Sequence, residues 1–87
     1  MPYIKKNNRK KFDEVLNNLP EMKSKGELEY VVFKIMKQFM KNREFRYTPL
    51  HSCVYAVMHC ADEFRRCYLD KREDKARKTN GDINSGN

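Results

Sequence analysis

His51, Tyr55, His59, Asp62 and Arg66 fall within about 80° of one another if residues 48–78 form a helix turning about 100° per residue. Met58 and Arg65 lie beside them, and Arg72 follows further along. This combination suits recognition of an anion. A guanidinium fork meets phosphate or carboxylate oxygens through parallel hydrogen bonds, and a neighbouring ring offers a stacking surface. Arg65, Arg66, Arg72, His51, Tyr55 and His59 are therefore the candidate ligand-binding residues. The ligand they suit is a nucleotide, a nucleotide-derived signal or an acidic protein surface. The plain alternative is an outward face on which Asp62 and Arg66 pair and the histidines are solvated.

Other chemistries find less support. His51 and His59 stand eight residues apart, about 12 Å along a helix, so they cannot share one metal ion. His59 with Glu63 could supply two ligands, but no HExxH or CxxC pattern completes a site, and no cofactor is implied. Cys60 follows His59 directly, yet adjacent helical residues point about 100° apart, so the imidazole is not placed to form a thiolate. A metal-dependent nucleotide pyrophosphohydrolase would need facing carboxylate pairs. Asp70 and Glu73 have the ExxE-type spacing, with Glu63 and Asp74 nearby, but Glu27 and Glu29 on the preceding helix diverge. This enzyme is the alternative to a non-enzymatic binding protein.

The five cations Lys5, Lys6, Arg9, Lys10 and Lys11 lie within residues 1–11, which hold no acid. Residues 12–47 and 48–87 each carry seven basic and six acidic side chains, so most of the net charge of +7 belongs to this arm. Such a block contacts phosphates or an anionic surface, or simply stays solvated. Nucleic-acid backbone binding through the arm is a further reading. Base reading is disfavoured, because Thr48, His51, Ser52 and Tyr55 at the start of a third helix include no Arg, Lys, Asn or Gln for bidentate contacts.

The elements that must position these groups read as three helices. Phe12, Val15, Leu16 and Leu19 mark a first helix from Asn7 or Asn8 to Leu19, broken at Pro20. Ser24-Lys25-Gly26-Glu27 reads as a capping box, with Ser24 accepting from the Glu27 N–H and Glu27 reaching back to Ser24. It opens a second helix to about Arg43, whose stripe runs Leu28, Val31, Val32, Ile35, Met36, Phe39 and Met40. Phe45 and Tyr47 are expected to close the end of the bundle. The third helix starts at a Thr48 cap with Pro49 at its first helical position, and Asn80-Gly81 supplies the stop. Leu50, Val57 and Phe64 occupy heptad position a, Cys53, Cys60 and Cys67 position d, and Val54, Ala61 and Tyr68 position e. The pattern ends at Leu69, and a charged extension follows.

The fold class is therefore all-α, with two short or medium helices and one long C-terminal helix. Residues 1–81 form one domain with a basic arm at 1–11, and 82–87 form a disordered tail. A helix of thirty residues is about 45 Å long, more than the diameter of an 87-residue globule. A homo-oligomer that completes the bundle is the expected outcome.

No apolar run reaches membrane-spanning length, and MPYIKKNNRKK has no signal-peptide core. Cysteines spaced by seven residues lie about 10.5 Å apart, too far for an intrachain disulfide, and an odd thiol count fits a reducing compartment. The chain is expected to be soluble and cytoplasmic.

The start Met1-Pro2-Tyr3-Ile4-Lys5-Lys6, the middle Cys60-Ala61-x-Glu63-Phe64-Arg65-Arg66 and the ending Glu73-Asp74-Lys75 with Asn80-Gly81-Asp82 resemble a family of small uncharacterised bacterial and phage proteins. Gly26-Glu27-Leu28 and Tyr30-Val31 extend the similarity over most of the chain. Where relatives carry a Val/Ala/Pro-containing stretch before the Glu-Asp pair, this chain has Arg66-Cys67-Tyr68-Leu69-Asp70-Lys71, which leaves its helix free of proline. The resemblance implies a phage-linked cytoplasmic origin, and small proteins of that kind are often inhibitors or ligand-sequestering oligomers.

Overall fold

The computed structural model describes residues 2–83. A 3-10 turn at Lys6–Asn8 leads into α1 (Lys10–Leu16), followed by α2 (Lys25–Met40). The helix α3 then runs without a break through Tyr47–Phe64, a π-helical segment Arg65–Leu69 and Asp70–Asn80. At 34 residues it is by far the longest element, and the described residues contain no strand. The all-α, three-helix architecture is the expected one.

Local chemistry accounts for most of the boundaries. At the start of α2 the Glu27 N–H donates to Ser24 Oγ at 3.1 Å, while Glu27 Oε1 accepts from the Lys23 N–H at 2.6 Å. The capping box forms, but its return bond reaches one residue further back than Ser24. Replacing Ser24 with alanine removes an N-cap acceptor and is expected to cost about 1 kcal/mol. Thermal melting by circular dichroism should register this as a fall of about 4–8 °C.

Three boundaries differ from expectation. Neither Asn7 nor Asn8 caps α1. Arg9 stands at the cap without a side-chain bond, and its Nε donates instead to the Ile4 carbonyl at 2.8 Å. The helix stops at Leu16, where the Asn17 N–H folds back to Asp13 and the Asn18 amide donates to the Glu14 carbonyl at 2.7 Å. Helix α2 ends at Met40, not Arg43, because the Arg43 guanidinium turns back to the Phe39 carbonyl and covers the Phe39 ring at 3.8 Å.

Helix α3 begins at Tyr47, so Thr48 is not its cap, and Arg46 at the cap makes no side-chain bond. Pro49 falls third in the helix, where a backbone N–H would still lack an intrahelical acceptor. The Asn80-Gly81 stop is as expected: Gly81 takes φ 89°, and its N–H donates to the Arg77 carbonyl at 2.9 Å. Of the tail expected to be disordered, residues 84–87 lie outside the described residues, while Asp82 sits 3.7 Å from the Arg77 guanidinium.

The core is a single seam between α2 and α3. Met40 and Cys53 are its only fully buried residues, at 3% and 5% exposure among the described residues. Val32 and Met36 on α2 and Pro49 and Val57 on α3 flank them half-buried, and the Cys53 thiol points to the Met36 carbonyl at 3.7 Å. The backbone of α1 comes within 8 Å, Cα to Cα, of neither α2 nor α3.

The result is an open shape of 55 × 32 × 29 Å with a radius of gyration of 17.5 Å. A compact chain of this length would have a radius near 12 Å. Phe45 and Tyr47 do not close the bundle end, since both are exposed. No helix among the described residues is long and apolar enough to cross a membrane.

Candidate functional site

The α-helical repeat carries four rings up one side of α3. Tyr47, His51, Tyr55 and His59 follow at intervals of four residues, so each ring leans on the next. Their centroids are separated by 5.2, 4.1 and 5.9 Å in turn. This ladder lies on the side of α3 opposite Pro49, Cys53 and Val57, which is why none of its rings enters the core. His51, Tyr55 and His59 are thus brought together as expected. Tyr47 was not among the expected site residues, because Thr48-Pro49 reads as the helix start. Its four-residue spacing to His51 is the signal that identifies it.

At its upper end the ladder reaches a shallow pocket of about 370 Å³ lined by Pro2, His59, Asp62, Glu63 and Arg66. Arg66 donates through Nε to Glu63 Oε1 at 2.8 Å, and Arg65 pairs with Asp62 at 3.3 Å. Asp62 is thereby taken by Arg65, so the expected Asp62–Arg66 pair is replaced by Glu63–Arg66. Arg72 lies beyond the π-helical segment, outside the lining of the pocket, and its side chain makes no hydrogen bond or ion pair among the described residues.

Two residues outside the expected set, Tyr3 and Cys67, gather beside Glu63. The Cys67 thiol donates to Glu63 Oε1 at 3.2 Å, and the Tyr3 hydroxyl lies 3.7 Å from Cys67 Sγ. The N-terminal lead therefore crosses α3 at the π-helical segment, where the Asp70 N–H donates five residues back to the Arg65 carbonyl. Single π turns inside α-helices often mark functional sites. Tyr3 and Cys67 are 64 positions apart, and no sequence pattern links them.

The Arg66 hydrogen bond holds the Glu63 carboxyl below its ordinary value of 4.5, with the Cys67 thiol adding to the effect. The same bond raises Arg66. Hydrogen bonding to Cys67, and then burial, raise the Tyr3 hydroxyl. A lowered carboxyl stabilises the fold above its unfolded value and loses that contribution as pH falls through the folded one. In a carbon-detected NMR titration, Glu63 is expected to titrate below 4.5 and to move upward in the Arg66→Ala variant.

The basic arm is more ordered than a free tail. Lys6 is in the 3-10 turn, Lys10 and Lys11 are in α1, and Lys11 Nζ lies 5.0 Å from the Phe12 ring centroid. Lys5 and Lys6 remain exposed, and Arg9 is half-buried.

The cysteines are free: Cys53 buried, Cys67 half-buried and Cys60 exposed, so the d line is covered only in part. Among the described residues no group of three or more His, Cys, Asp or Glu side chains stands close enough to hold a metal ion. Asp74 is paired with Arg77 at 3.2 Å, away from Glu63.

No curated protein and no solved structure matches the chain. A family model does match, described as a domain of unknown function, DUF6899, over residues 1–83. With nearly its whole length covered, the chain belongs to the DUF6899 family.

Proposed function

We propose that the protein is a non-enzymatic binding module that works in the cytoplasm as a homo-oligomer and holds an anionic ligand, a nucleotide in the first instance. The observation that carries this reading is the exposed Tyr47–His51–Tyr55–His59 ladder leading to Arg66. Rings along such a face offer stacking surfaces for a base, and guanidinium groups offer forks for phosphate. Arg65 is paired with Asp62 in an exposed ion pair worth about 0–1 kcal/mol, so a phosphate can displace that carboxylate at small cost, whereas Arg66 is held by the half-buried Glu63 carboxylate, to which Cys67 also donates. Arg72 needs no displacement. The small size of the chain and its resemblance to bacterial and phage proteins support sequestration or inhibition as the use of such binding.

A nucleotide panel with magnesium or manganese, read by calorimetry and by product analysis, tests this. Binding without turnover, weakened in His59→Ala and Arg72→Ala variants, is the expected result. Turnover that disappears in a Glu73→Gln variant would instead establish the hydrolase alternative.

A further inference from the structure

Two apolar surfaces of this chain are left uncovered. One is a groove of about 930 Å³ between α1 and α2, with Phe12, Leu16 and Leu19 on one wall and Val31, Ile35 and Phe39 on the other. The other is a ridge on the π-helical segment and its approach. There the Phe64 and Tyr68 rings pack at 4.8 Å, at 66% and 62% exposure, with Leu69 half exposed.

The exposed area is too large for a chain that folds alone. A folded monomer of 10.5 kDa is expected to expose about 5,400 Å². This chain exposes 8582 Å². The difference, about 3,000 Å² per chain, exceeds the roughly 1,000–2,500 Å² that each partner covers in an obligate homodimer burying on the order of 2,000–5,000 Å² in total, so there is area enough for such an interface. Helix α1 makes the same point locally. At seven residues it is below the length at which a helix holds in water, and its apolar face touches no filled core.

Resting on the homo-oligomer part of the reading above, we infer that the α1/α2 groove receives the Phe64–Tyr68–Leu69 ridge of a second copy of this chain. Because groove and ridge belong to one chain, a two-fold arrangement fills both grooves and covers both ridges, and the assembly closes. The ladder points away from the α2 seam and stays open for ligand.

The charge of +7 on each copy opposes the association, so added salt should strengthen the dimer. An acidic partner protein would show the opposite dependence.

The test places the photocrosslinking residue p-benzoylphenylalanine at position 64 in a mixture of nitrogen-14 and nitrogen-15 labelled full-length protein. Crosslinks from position 64 to residues 12–19 or 31–39 of the differently labelled copy are expected. A Leu16→Asp variant should raise the dimer dissociation constant on the order of 10- to 100-fold. Crosslinks between copies that reach only other segments would overturn the groove assignment while leaving self-association intact. Crosslinks confined within one chain, together with a monomeric mass, would overturn both.

Discussion

Replacing Met40 with alanine is expected to leave the protein largely unfolded at room temperature. Methionine-to-alanine changes in a core cost about 2–5 kcal/mol. A chain of this length is held by about 4–13 kcal/mol in ordinary cases. Here the core is one α2/α3 seam, with Met40 and Cys53 its only fully buried residues among those described, so the stability lies toward the lower end. Met40 also sits where α2 ends and the chain turns toward α3, so its loss opens the hinge of the pair. Urea unfolding by circular dichroism checks this against Phe45→Ala, an exposed site where a change within about 0.5 kcal/mol is expected. Equal losses at the two positions would contradict the single-seam core.

The second large effect is on concentration. If the uncovered groove and ridge are satisfied by another copy, folding and association are one equilibrium, and melting temperature depends on protein concentration. Each hundredfold dilution then removes about 2.7 kcal/mol per dimer. Differential scanning fluorimetry over a hundredfold range should show a clear fall in midpoint as the protein is diluted. A constant midpoint with full helicity would mean that the chain is stable alone.

Much of the fold was legible because it rests on local signals. Ser24 and Glu27 mark the start of α2, Asn80-Gly81 marks the end of α3, and the 3.6-residue stripe from Leu28 to Met40 marks the apolar face of α2, of which Val32, Met36 and Met40 pack at the seam. The junction of the apolar and charged halves near Glu63 to Glu73 was legible too, as a change of pattern, and the π-helical segment Arg65–Leu69 falls there. What stayed hidden is tertiary. The stripe on α3 is wide enough for a bundle, yet of the a and e residues Leu50, Val54, Phe64 and Tyr68 remain exposed. Periodicity shows which face is apolar and not what covers it.

Exchange of ion-pair partners was equally out of reach. Asp62 is three residues from Arg65 and four from Arg66, and both spacings permit a bond. The π turn that begins at Arg65 accompanies the pairing of Asp62 with Arg65 and of Glu63 with Arg66. The contact of Tyr3 with Cys67 joins the N-terminal lead to the π-helical segment of α3 and leaves no trace in any local window.

Sedimentation equilibrium at micromolar concentration reads the assembly of the full chain. A mass twice that of the 10.5 kDa chain is expected, with the helicity of the structure retained. A fully helical monomer at that concentration would contradict it.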